Sequence, residues 1–236
     1  MQIEPLGDSA LIVRVVDEFA RDSEASLSTV LAALRALEAA SIPGVIELAP
    51  AYTTVAAFFD PVRIAPDETG QPPFDWLRSE IESVLNRGLA NQKPKSESAV
   101  IEVPVCYEGE FASDLAEVAR HAGLSEDEVV RRHSSASYRV HCVGFTPGFP
   151  FLSGLPAELA TPRRATPRKE IPAGAVAIGG AQTGIYPRKS PGGWNLIGRT
   201  PLCLFDVERE PPAFFQAGDR VRFQRISREE FDAFSR

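Results

Sequence analysis

The sequence predicts an α+β chain in two parts, an N-terminal α/β domain with a ferredoxin-like order of elements and a C-terminal β-barrel. Three observations carry this reading. Over roughly the first hundred residues the apolar positions alternate between a strand period and a helix period. Asn91–Ser98 (NQKPKSES) is polar, carries a proline and has no periodicity, as a linker does. From Gly144 to Pro201 the helical period vanishes, and short β-prone pieces are separated by Gly and Pro.

Ser9–Val16 (SALIVRVV) is apolar and β-rich and reads as a strand. Asp22 or Ser23 can cap the helix that follows, in which Leu27, Val30, Leu31, Leu34 and Leu37 recur at helical spacing. Pro43 and Gly44 stop it. Gly44–Ala49 and Thr53–Phe59 make two short strands around a turn near Pro50. A second helix presents Phe74, Leu77, Ile81 and Val84 as its apolar stripe and ends at Gly88. Ala99–Val105 alternates and completes β-α-β-β-α-β, with an extra strand possible at Gln2–Pro5. That last strand suits either domain; the boundaries taken are 1–92 and 99–236.

In the second domain, Asp114–His121 and Ser125–His133 read as short helices, the latter with capping-box spacing between Ser125 and Glu128. Tyr138–Val143 is a strand, AVAIGG, NLIG and LCLFDV are β-prone pieces, and DRVRFQR (Asp219–Arg225) closes the barrel before a polar C-terminal tail.

The formal net charge of −7 argues against a general nucleic-acid binder. Yet Gly144–Cys203 holds Arg163, Arg164, Arg168, Lys169, Arg188, Lys189 and Arg199 against only Glu158 and Glu170, a local cationic surplus. The three cysteines are widely spaced and odd in number, which does not suit a disulfide framework. The N-terminus lacks the pattern of a signal peptide and no window has the apolar length of a membrane span, so a soluble cytoplasmic protein is expected.

Several machines are excluded. Gly184–Ser190 (GIYPRKS) ends like a P-loop, but Arg188 stands where the second glycine belongs and no helix pattern follows. There is no GxSxG and no HExxH. His121, His133 and His141 lack close metal-ligand spacing, so no metal site is expected; His133, at a helix end, reads as a C-terminal charge complement.

GFTPGFPFLSGLP (Gly144–Pro156) reads chiefly as architecture, with Phe145, Phe149, Phe151 and Leu152 as core. Thr146 is its one strongly polar side chain before Ser153. TPRRATPRKE (Thr161–Glu170) sets Arg163, Arg164 and Arg168 among prolines; stiffened guanidinium forks suit a carboxylate or phosphate, and a solvated basic loop fits equally. In GGAQTGIYPRKSPGGW (Gly179–Trp194), glycines permit close approach of the main chain to a ligand or positive φ. Gln182 and Thr183 offer amide and hydroxyl groups, Tyr186 and Trp194 flat walls, and Arg199 returns a cation. Such a pocket suits a small ligand with a planar amide and a negative group; a set of plain turns is the competing reading.

These stretches, with LATPRRATPRKEIPAGAVAIGGAQTGIYPRKSPGGWNLIGRTPL running on from Leu159, resemble the family of 5-oxoprolinase B subunits. The family is also called allophanate hydrolase subunit 1 and includes the Kip-type inhibitor of a sporulation histidine kinase. The similarity is dense from Val103 to Phe205 and compatible before it. It implies a cyclophilin-like barrel and two obligate companions, the C and A subunits of 5-oxoprolinase. Together they open the lactam 5-oxo-L-proline to L-glutamate with ATP, Mg being its counter-ion. On that basis Arg163, Arg164, Arg168 and Arg199 become candidate anion contacts. Gln182 and Thr183 would orient the amide, with Tyr186 and Trp194 as walls. No catalytic residue is assigned, and a general base could come from a partner. The resemblance equally admits a regulatory protein that binds a histidine kinase. A stand-alone prolyl isomerase does not follow from fold alone.

Overall fold

The computed structural model describes residues 1–17, 23–64, 70–88 and 99–234. The chain divides into two compact units, Met1–Ser96 and Glu97–Arg236. Asp22 and the expected linker Asn91–Ser98 lie outside the described residues. Among the described residues no helix is long and apolar enough to cross a membrane.

The first unit contains β1 (Gln2–Pro5), β2 (Ala10–Arg14), α1 (Ser23–Ala40), β3 (Val45–Ala51), β4 (Thr54–Phe59) and α2 (Pro73–Gly88). Its strands form one antiparallel sheet in the order β1-β2-β4-β3. Strand alternation puts Leu11, Val13, Val55 and Ala57 into one core with Val30 and Leu37 of α1 and Leu77, Ile81 and Leu85 of α2. Val100–Val105, which suited either domain and lies inside the boundary taken for the second, is not in this sheet. The edge beside β2 is taken by β1, which returns through a tight connection with Leu6 N–H donating to Ala10 O (2.8 Å). A local hairpin costs less loop entropy than a strand returning after α2.

The second unit runs β5 (Val100–Val105), α3 (Leu115–Ala122), α4 (Glu126–Ser135), β6 (Tyr138–Val143), β7 (Pro150–Ser153), β8 (Arg168–Ile171), β9 (Ala175–Gly179), β10 (Gln182–Ile185), β11 (Ser190–Gly192), β12 (Asn195–Arg199), β13 (Arg220–Arg225) and α5 (Arg228–Phe234). Seven strands form a sheet in the order β12-β9-β10-β7-β6-β13-β5. Its two edges meet where Cys106 and Arg199 exchange a pair of backbone hydrogen bonds, each 2.9 Å, so the sheet is a nearly closed barrel. Every strand sends side chains inward, among them Val103, Val140, Leu152, Val176, Ile185, Ile197 and Phe223. Leu115 and Val118 of α3 and Val129 and Val130 of α4 join the same core. The cap of α4 is as its spacing predicts, Ser125 Oγ accepting from Glu128 N–H at 3.2 Å.

Two segments depart from expectation. Residues beyond Arg225 form α5 instead of a polar tail, because Phe231 is buried against Phe111 with ring centroids 4.6 Å apart. LCLFDV makes no ladder, only an isolated bridge from Phe205 to Ala213, where Pro201, Pro211 and Pro212 withhold the donors a strand needs.

His133 departs further. It is fully buried, stacked on Phe223 at 4.5 Å, and is no exposed charge complement. Thr183 Oγ1 donates to Ala177 O (3.0 Å) and therefore accepts from His133 Nε2–H (3.0 Å). That leaves His133 Nδ1 to accept from Tyr107 O–H at 2.9 Å. Burial pulls the imidazole down to about 3, so the folded chain holds it neutral. The unfolded chain binds a proton near pH 6.5, so stability from this site is complete above that pH and is lost on acidification toward about 3. Unfolding free energies from urea titrations at pH 7 and pH 5 are expected to fall more steeply for the parent than for His133→Gln, by up to ~1.4 kcal/mol per pH unit.

Candidate functional site

Four neighbouring strands of the barrel carry a second apolar layer on their outer face. Ala175 and Ala177 of β9, Leu196 of β12, Tyr186, Phe149, Trp194 and Ile171 form it, with Phe151 half-buried beside them. The β8–β11 ribbon supplies Ile171. The aromatic rings meet edge to face, Phe149 lying 5.1 Å from Tyr186 and 5.5 Å from Trp194. Gly179 is required here, since a Cβ would come within 2.5 Å of the Trp194 ring. Tyr186 and Trp194 are 2% and 5% exposed. They are thus fillers of a second core, and the glycines near them make room for rings.

Arg163 lies over Trp194, its guanidinium carbon 5.7 Å from the ring centroid. Arg164 and Arg168 converge on Asp114, which is 4% exposed. Arg164 Nη1 donates to Oδ1 at 2.9 Å, while Arg168 reaches both carboxylate oxygens at 2.8 Å. Leu196 N–H donates to the same carboxylate at 2.7 Å. Arg164 is also held by its own N–H to Gly193 O (2.7 Å). Two guanidinium groups share one carboxylate, so one positive charge is left over beside Arg163, on a side chain 37% exposed.

The expected set therefore gathers only in part. Arg163, Arg164, Arg168, Tyr186 and Trp194 share one region. Gln182 starts β10 opposite Gly179, and alternation puts it on the strand face of Tyr186. Thr183 faces the barrel interior and is spent on His133 and Ala177. Arg199 sits at the other end of β12 from Trp194, about 16 Å of extended chain away. Its Nε donates to Ala173 O (2.8 Å) and its guanidinium lies 5.4 Å from the Phe111 ring. Both are explained by architecture.

Phe149 and Leu152 are buried as expected, but Phe145 is 66% exposed. It also holds φ +67°, a region that costs a side chain with a Cβ about 1–2 kcal/mol. Thr146 Oγ1 is buried without a hydrogen-bond partner, at a cost of about 1–3 kcal/mol.

Sequence reasoning missed the place of Asp114 among these arginines and the exposure of Phe145. Asp114 read as the start of a helix, and its partners lie fifty and fifty-four positions away. Among the described residues no three His, Cys, Asp or Glu side chains form a metal cage. Gly184–Ser190 runs from β10 into β11 with no helix after it, unlike the cradle of a P-loop.

A barrel whose outer face bears a cationic, proline-stiffened loop defines a class. The family described as "Carboxyltransferase domain, subdomain C and D" matches residues 1–215, and the chain belongs to that family. Within it, the chain is 41% identical to the 5-oxoprolinase B subunit of Bacillus subtilis, over 99% of this chain and 96% of that protein. The crystal structure of TTHA0988 superposes with a TM-score of 0.73 at 37% identity, covering 92% of this chain and 40% of that longer one. The Kluyveromyces lactis urea carboxylase shares the fold, with a TM-score of 0.71 at 20% identity over 98% of this chain and 22% of its own.

Replacing Asp114 by Ala strands two guanidinium groups and one backbone N–H. Because both arginines keep contact with solvent, the expected loss is about 2–3 kcal/mol, below that of a fully buried pair. A urea midpoint equal to the parent's would show that the carboxylate fixes nothing.

Proposed function

We propose that the chain is one component of a multi-subunit, ATP-dependent 5-oxoprolinase and acts only with companion polypeptides. The observation that carries this is full-length similarity to a protein named as the B subunit of 5-oxoprolinase, 41% identical over 99% of this chain. The companions are the C and A subunits of that enzyme, and the barrel is of the cyclophilin-like kind. Residues 1–92 and 99–236 are its two domains.

The substrate is a resonance-stabilised lactam that bears a carboxylate. Opening it requires charge placed around the anion and hydrogen-bonding groups around the ring amide. Arg163 and Arg164 supply the first, Arg164 with its fork already oriented by Asp114. Thr146 and Gln182 supply the second, while Tyr186 and Trp194 hold that surface rigid from beneath. Arg168 and Thr183 act through position, since Asp114 and Ala177 take their donors, and Arg199 does so from the far end of β12. ATP, with Mg as counter-ion, supplies the energy of ring opening in the assembled complex. Arg163 and Arg164 are the groups of this chain suited to meet a phosphate oxygen.

The chain alone is expected to show no 5-oxoproline-dependent ATP hydrolysis, and turnover is expected once its companions are added. Arg163→Ala should lower kcat/KM about tenfold in that complex, with Tm within about 2 °C of the parent. Silence from a folded, assembled three-part mixture would overturn the reading.

A further inference from the structure

The turn from Gly144 to Phe149 bears two costs side by side. Thr146 N–H donates to Gly144 O at 2.8 Å, closing a three-residue turn whose apex is Phe145 at φ +67°. Turns of this hand are rare because they are strained. The Phe145 ring stands mostly in solvent, edge-on to Phe149 at 5.7 Å, so burial does not compensate the strain. The next side chain hides an unpartnered hydroxyl.

The rest of the turn is satisfied. Phe149 N–H donates to Thr146 O at 3.1 Å across Pro147-Gly148, with Gly148 at φ +84° as a tight Pro-Gly turn requires. Gly148 also lies against Phe205, where a Cβ would come within 2.8 Å of that side chain. The anchored second half holds the strained first half in place. Strain that the surroundings enforce collects at ligand contacts.

We infer that Phe145 and Thr146 are the residues that set specificity for the lactam ring, an inference that rests on the reading of the chain as part of a 5-oxoprolinase. A small lactam presents a methylene face and an amide edge. The first suits an exposed phenyl ring, and the second suits a hydroxyl that both donates and accepts. Reaching that hydroxyl requires the turn to shift, and strain at Phe145 lowers the cost of the shift. A group placed to hydrogen-bond an amide discriminates more sharply than an apolar contact does, so Thr146 carries the larger share.

The test uses the complex assembled with its companions, plus melting of the chain itself. Phe145→Gly removes the ring and the strained φ together. It is expected to leave Tm unchanged or raised, while KM for 5-oxoproline rises about tenfold and kcat changes less than about threefold. Thr146→Val is expected to raise KM by at least as much, and Thr146→Ser to restore it. Parent-like KM in both Phe145→Gly and Thr146→Val overturns the inference and leaves the parent reading standing. A lowered Tm in Phe145→Gly, with activity falling in step with the folded fraction, also overturns it, since the ring would then be structural. A wild-type complex silent toward 5-oxoproline overturns both.

Discussion

One buried carboxylate fixes the face of the barrel that bears the candidate site. Asp114 takes hydrogen bonds from Arg164 in the loop, Arg168 in β8 and Leu196 N–H in β12, and it stands at the start of α3. A pair of this kind adds little net stability over an apolar substitute, but removing one partner is costly. Its effect is on geometry. The loop that carries Arg163 cannot move without breaking the bidentate clasp at its base, so the guanidinium over Trp194 is presented at a small cost in ordering.

The same strands serve two cores back to back. Along β10, Thr183 and Ile185 face the barrel interior, while Gln182, Gly184 and Tyr186 belong to the outer face. Along β9, Val176 and Ile178 face inward, and Ala175 and Ala177 outward. Small residues outside leave room for Phe149, Tyr186 and Trp194, so the outer layer is dense enough to support charged groups above it. The inner layer closes around a polar chain, Tyr107 to His133 to Thr183, whose donors and acceptors are matched one to one. Such a chain fits one arrangement of the interior and penalises others.

Much of this was legible in the sequence. Period and punctuation located α1, α2, α3, α4, β6 and β13, because each is decided by side chains within a few residues of one another. Strand partners were not legible. Nothing local tells whether β5 joins the sheet before it or the one after it, since both offer apolar partners. At the site, the cationic loop was visible as composition, whereas the carboxylate that clasps two of its arginines was not. Thr183 and Gln182 are adjacent but stand on opposite faces of β10, and nothing local tells which face is enclosed. Phe145 looked like core because nothing local marks the backbone angle that turns it outward.

The chain's order in space has a consequence for its biogenesis. β5 lies parallel to β13 in full register, from Val100 beside Arg220 to Val105 beside Arg225, and β13 separates it from β6. The strand that begins the second unit therefore waits for β13 to be made before it gains this neighbour. Until then its backbone groups have no neighbour on that side, and long-range pairing of this kind is slow.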